Sequence, residues 1–312
     1  MMALAVAAVL VADIIRPDPK LDLIADAAVK AAQKEFPKLQ TDQIGVAIGR
    51  IERSQDSIAM GGFQQDKALY PASTVKLFYL GYGATLIQSG KLKLTPELER
   101  GFTDMIVDST NDATALVLDA ITETTGGPEL SESDLKKWMD KRNAVNRWLT
   151  KLGFKGINAN QKTWNEGPYG RERQGYGPNF ENRNSLTPES GIRMMGLIAL
   201  QKLVPTERNE WMKHLLNRKI PADSPDADFQ SKAFTGASLP KGTKLWSKAG
   251  YTDTARLDIA WFQLPTGDEW IYAIFTKNQS NEPKLIPFVA ETLLKSTHAE
   301  FRAEWRTDSL ER

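Results

Sequence analysis

Apolar residues recur at helical spacing from residue 21 to 36, after which the pattern switches to one that favours strands. Residues 43–51 and 56–60 are short aliphatic runs split by a polar turn, and they predict a β-hairpin. Beyond Pro71 a run with no helix breaker extends to Gly81 and predicts a helix with Ser73 in its first turn. Residues 112–121 predict a second helix, and 189–202 a third that follows Thr187-Pro188. Near the end, the Trp- and Ile-rich segment 245–262 has a turn-rich middle and predicts two strands. Residues 269–276 then predict a last strand and 284–301 a closing helix. Between the early and late strands the chain is helix-rich, with turn clusters at Gly126-Gly127-Pro128 and at 221–228. One breaker-rich stretch, Trp164 to Pro188, is unusually long; loops of that length in compact domains are functional or disordered, and its aromatics and arginines argue for the first.

Composition removes several classes of function. A chain of 312 residues buries a large core as one or two lobes. Its 40 Lys and Arg balance 39 Asp and Glu without any basic run, so no field draws nucleic acid. With no cysteine, thiolate nucleophiles and thiolate metal sites are excluded. The two histidines, His214 and His298, sit in helical stretches far from the motifs below, which argues against a Ser-His-Asp triad or a histidine metal site. Residues 3–12 are continuously apolar yet too short to span a bilayer. They look like the core of a secretory signal, with Leu10-Val11-Ala12 before Asp13 as an exit, although no Lys or Arg precedes them. Residues 1–20 are therefore read as a signal remnant or an N-terminal helix, and the expected location is periplasmic or secreted.

The chemistry begins at Ser73-Thr74-Val75-Lys76. Three residues apart on one helix face, an amine stands beside a hydroxyl near a helix N-terminus, where the dipole favours negative charge. A desolvated lysine is a competent base for a serine nucleophile. Alone the motif is weak, and its bland reading is a buried serine beside a solvated lysine. Two further segments follow in order: Ser109-Thr110-Asn111 at the start of a helix, and Lys248-Ala249-Gly250 on a strand. This ordered set resembles the signature of the penicillin-recognising serine enzymes, class A β-lactamases in particular. The entry Leu239-Pro240-Lys241-Gly242 into the third motif and the helix–strand–strand–Ser73 order resemble that family as well, over about residues 21–306.

The resemblance implies an α+β fold of the β-lactamase/transpeptidase type: an antiparallel sheet flanked by terminal helices (21–61 and 239–312) beside a helical lobe (73–220). It implies two-step acyl transfer by a monomer, without cofactor or metal, on a small β-lactam, peptide or ester. Ser73 is the nucleophile within hydrogen-bond reach of its base Lys76, and the N–H groups of Ser73 and Tyr251, beside Gly250, form the oxyanion hole. Ser109, supported by Lys248, relays a proton to the leaving group, and Asn111 holds the acyl side chain. For the deacylating carboxylate, Glu166, which matches the family's Trp-Glu-Pro context, is the candidate, and Glu172, which fits the count back from Pro188, is the alternative; the bland reading of both is a solvated or Arg-paired loop carboxylate.

Four departures bear on substrate. Ala249 lacks the hydroxyl usual in the third motif, so Arg256 is the candidate for a substrate carboxylate, or else an ion pair of Asp253 or Asp258. Thr110 replaces an aspartate. Asn184 stands where the family has a loop-pinning aspartate, so the pin must differ. Only 35 residues lie between Ser73 and Ser109, which predicts an open cleft. Three readings follow: β-lactam hydrolysis, a D-Ala-D-Ala-type peptidase, amidase or esterase, and a catalytically idle binder; the complete motif set argues against the last.

Overall fold

The computed structural model describes residues 14–224 and 226–308; the apolar segment 3–12 lies outside them. The elements run β1 (Ile15–Pro17), α1 (Pro19–Glu35), β2 (Ile44–Glu52), β3 (Ser57–Phe63), α2 (Lys76–Gln88), α3 (Pro96–Thr103), α4 (Asn111–Thr122), α5 (Glu132–Arg142), α6 (Ala144–Lys151), α7 (Gly170–Gly175), α8 (Pro188–Ala199), α9 (Thr206–Leu216), β4 (Asn217–Arg218), α10 (Phe229–Lys232), β5 (Lys244–Tyr251), β6 (Ala255–Gln263), β7 (Glu269–Lys277) and α11 (Leu285–Asp308). The fold is α+β. Seven strands form one sheet in the order β1-β3-β2-β7-β6-β5-β4, so strands from both ends of the chain meet at the β2–β7 pair. The sheet is mixed rather than purely antiparallel, because β1 runs parallel to β3.

Local signals account for the main helices. Asp18 caps α1 by accepting from Lys20 N at 3.0 Å, Pro19 opens the first turn, and Leu21, Ala25, Ala28, Val29 and Ala32 form the buried stripe. At α8, Thr187 and Ser190 cap each other reciprocally and Pro188 leads the helix. The sheet is covered on both faces, so alternation along its strands separates two cores instead of core from solvent. On β7, Trp270, Tyr272 and Ile274 face the terminal helices, whereas Ile271, Ala273 and Phe275 face α8 and the helical lobe.

The expected helix from Ser73 to Gly81 differs at both ends. Residues Ala72–Val75 form a tight 3₁₀ turn, and the α-helix starts only at Lys76. It then runs through Gly81 and Gly83 without a break. A methyl at Gly83 would lie 2.4 Å from the Phe102 ring, so this glycine permits close packing of α2 on α3 rather than ending a helix. Among the described residues no helix is long and apolar enough to cross a membrane.

Candidate active site

The turn that carries Ser73 is closed by Thr74, whose N–H and hydroxyl both bond Pro71 O, at 3.0 and 2.7 Å. Ala72 adopts φ of +45°, a left-handed conformation that costs an L-residue free energy. The end of β5 lies directly against this turn: a Cβ on Gly250 would sit 2.7 Å from Pro71 O and 3.0 Å from Ser73 N. Only glycine allows that approach, and it brings the backbone beside Tyr251 to the N–H of Ser73. Thr252 N bonds Ala255 O at the hairpin end, which leaves Tyr251 opposite Arg256 in the non-hydrogen-bonded register, its N–H turned away from β6.

Ser109 arrives from the other side. Helix α3 widens into a π-turn at Asp104–Asp108, and Ser109 ends it with φ of +60°. That turn frees the carbonyls of Ile106 and Val107. Arg218 takes both, at 2.6 and 3.0 Å, and Gln230 Nε2 donates to both as well, at 3.2 and 2.8 Å. Arg218 also reaches Ser247 O, while Gln230 Oε1 accepts from Lys248 Nζ at 2.8 Å and Ala249 N at 3.2 Å. The two side chains clamp the Ser109 turn to β5.

Two buried lysine amino groups converge on one hydroxyl. Lys76 Nζ donates to Ser109 O (2.6 Å), Asn111 Oδ1 (3.1 Å), Ser109 Oγ (3.3 Å) and Thr110 O (3.3 Å). Lys248 Nζ donates to Ser109 Oγ at 2.9 Å. Desolvation lowers the Lys76 pKa to about 7. Lys248 is held well below the usual lysine range, first by burial and then by the charges of Lys76 and Arg218. Beneath them the buried Asp258 is raised to about 6 by desolvation. Ser73, Ser109, Asn111, Gly250 and Tyr251 all line one open cleft of about 390 Å³.

Several expected positions differ. Lys76 makes no hydrogen bond to the Ser73 hydroxyl among the described residues; its donors are drawn to the cluster of oxygens at Ser109–Asn111. Glu166 is exposed and lines no part of the cleft. Glu172 is buried in an ion cluster instead: it bonds Arg142 at 2.8 and 3.1 Å and Lys162 at 2.9 Å, and Asp119 completes the group. Arg256 donates to Ala233 O and Ser280 O at 3.1 and 3.4 Å, its Nε is buried without a partner, the Phe234 and Tyr251 rings pack over the guanidinium, and Arg256 is absent from the cleft lining, so it is not placed to take a substrate carboxylate.

Sequence reasoning passed over three residues. Asn165, one position before Glu166, accepts from Asn111 Nδ2 at 2.7 Å and is the loop residue that meets the site. Gln230 and Arg218 carry no motif, and only the tertiary fold brings them under Ser109. The loop pin, expected to differ from an ion pair, is an amide: Asn184 Oδ1 accepts from Asn160 N and Gln161 N at 3.0 and 2.9 Å, and its Nδ2 donates to Gln161 O at 2.8 Å. Around it Asn143, Asn146, Asn158 and Asn182 interlink.

The ion cluster gives a stability prediction. Arg142→Met leaves the buried Glu172 short of its bidentate partner, and a broken buried pair costs about 3–5 kcal/mol. The urea midpoint should fall accordingly. A change below about 1 kcal/mol would show that Lys162 alone suffices for Glu172.

No protein of curated function matches the chain in sequence. Among solved structures, a point mutant of PBP-A in its acyl-enzyme complex with penicillin G superposes with a TM-score of 0.65 at 16% identity, covering 91% of this chain and 98% of that one. A β-lactamase from Chitinophaga pinensis gives 0.64 at 13% identity, covering 89% and 99%. The TLA-3 extended-spectrum β-lactamase gives 0.63 at 14% identity, covering 88% and 99%. At such identities these structures share the fold alone. The model of the β-lactamase enzyme family, however, matches residues 28–296. The sheet, the helical lobe and that match together assign the chain to the β-lactamase enzyme family.

Proposed function

We propose that the protein is a serine acyl-transfer hydrolase that acylates Ser73 readily and releases the acyl group slowly, acting on an ester or amide rather than as an efficient β-lactamase. The observation that carries this reading is the convergence of Lys76 and Lys248 on Ser109 Oγ in the cleft that Ser73 lines. In the proposed mechanism neutral Lys76 turns its lone pair from the Ser109 cluster to the Ser73 hydroxyl, three residues before it in the chain, and takes its proton as Ser73 Oγ attacks the carbonyl. The Ser73 and Tyr251 N–H groups stabilise the oxyanion. Ser109, held by Lys248, passes its proton to the leaving atom and takes back from Lys76 the one removed from Ser73, and the ester or amide bond breaks to give acyl-Ser73. Asn111 orients the acyl side chain. Water must then cleave the Ser73 ester, and here the site is poorly equipped: the loop presents the Asn165 amide to Asn111, and Glu166 faces solvent. PBP-A, captured as an acyl-enzyme with penicillin G, offers a parallel for such a trapped state. Intact-mass analysis after mixing with an activated phenylacetyl ester tests the reading. A single adduct mapped to Ser73 is expected, and modification elsewhere would overturn it.

The lysine base sets a pH profile. Lys76 is protonated below about pH 7, so acylation should fall about tenfold per pH unit below that point and level off above it. A profile flat from pH 5 to 8 would remove Lys76 from the base role.

A further inference from the structure

We infer that the cleft takes an aryl group of the substrate close to the scissile bond, and that the Phe229 ring is the side chain that selects it; this deepens the proposed function and rests on Ser73 being the acylated residue. Soluble proteins cover their large apolar side chains, and rings left bare in a concave site mark a place for a ligand. Phe229 and Tyr251 are 58% and 49% exposed, and both line the cleft that Ser73 lines. Their ring centroids are 6.2 Å apart, edge to face. Val107 and the buried Phe234 line the same cleft, so its apolar surface is continuous with the aromatic pair.

The rings are held in place by the fold itself. Phe229 opens α10 between two anchored residues. Asp228 accepts from Ser231 N at 3.0 Å and from Arg218 at 3.1 Å, and Gln230 bonds Ile106 O, Val107 O, Lys248 Nζ and Ala249 N. The Phe229 ring stands edge-on to Phe234 at 5.7 Å. The Arg256 guanidinium lies 4.7 Å from the Phe234 ring and 5.3 Å from the Tyr251 ring, which ties the two together. Rings fixed in this way lose little entropy when a ligand packs on them. Tyr251 also joins the rings to the chemistry: its N–H holds the oxyanion in the proposed mechanism, so a group carried next to that carbonyl comes within reach of the same residue's ring. Charges of both signs stand around the cleft, Lys76, Lys248, Arg218 and Arg256 with Asp108 and Asp228, so the selection rests on ring surface and not on charge.

Two boronic acids test this, as inhibitors of acylation by the activated phenylacetyl ester. With either, Ser73 Oγ bonds to boron, the serine proton passes to Lys76 and no group leaves. Methylboronic and naphthalene-2-boronic acid therefore build the same anionic centre and differ in the group offered to the rings. Phe229→Ala should raise the inhibition constant of the naphthyl acid at least about tenfold and that of the methyl acid less than about twofold. Comparing each acid with itself across the variant removes their different acidities. Phe229→Trp should keep the naphthyl acid within severalfold of its wild-type value, because it restores a ring. Equal weakening of both acids by Phe229→Ala, or of neither, overturns the inference. Calorimetric binding of neutral 2-naphthylmethanol to the Ser73→Ala protein reads the rings without chemistry, and Phe229→Ala in that background should abolish it. No binding of the alcohol, or binding indifferent to Phe229, also overturns the inference. Binding that depends on Phe229, together with no acylation of Ser73 by the ester, would support the aryl subsite and sink the serine-hydrolase reading instead.

Discussion

Ser73→Ala is expected to abolish acylation by the activated phenylacetyl ester, a loss of about 10⁴–10⁶-fold, while leaving the protein folded. The change deletes one hydroxyl from a 3₁₀ turn held by Thr74 and Pro71, and none of those turn contacts involves the Ser73 side chain. Lys76→Ala should cost nearly as much in rate, because the hydroxyl is a poor nucleophile once its base is gone. The double variant should lose little more than either single one, since nucleophile and base act as a unit. Strictly additive losses would mean that Lys76 serves only to hold the oxygens of Ser109–Asn111. Unfolding curves for the same variants separate chemistry from structure. Ser73→Ala should leave the urea midpoint unchanged, whereas Lys76→Ala should shift it, because Lys76 is fully buried among four acceptors.

Asn165→Glu should shorten the lifetime of the acyl-enzyme by about 10²-fold or more, the usual contribution of a positioned general base. The wild-type protein should show Ser73 acylated for much longer than the mixing time in an intact-mass time course. The reason is that Asn165 bonds Asn111, which also holds Lys76, so a carboxylate at 165 would stand one hydrogen bond from the lysine base. Glu166→Gln should leave the lifetime unchanged, since Glu166 is exposed and lies outside the cleft. If Glu166→Gln prolongs the acyl state and Asn165→Glu does not shorten it, the loop must rearrange on acylation, and the slow-release reading fails.

Much of the fold is legible in the sequence, because both faces of the sheet and one stripe of each long helix are buried, and burial writes itself into the residue pattern. The stripe of α1, the hydrophobic runs of β6 and β7 and the Thr187-Pro188 helix start are all of this kind. Short elements escape: β1 and β4 have three and two residues, too few for a period. In the candidate site the three motifs are legible because each sits within one local element. Glu172 and Arg256 are not, since their partners lie far along the chain: Arg142 is 30 residues from Glu172, and Ser280 is 24 from Arg256. Spacing in a long loop says which carboxylates exist and nothing about which one is drawn into an ion cluster. The same limit hides Gln230, whose partners at Ile106 and Val107 are more than 120 residues away.

Ala72, beside Ser73, and Ser109 both hold left-handed backbone, each at about 1–3 kcal/mol. Selection for stability alone has a simple remedy, glycine at either position, reached by single substitutions that leave the core intact. At 109 that remedy deletes the hydroxyl on which both lysines converge. Backbone ease and the hydroxyl of the proposed mechanism are therefore opposed at this one residue.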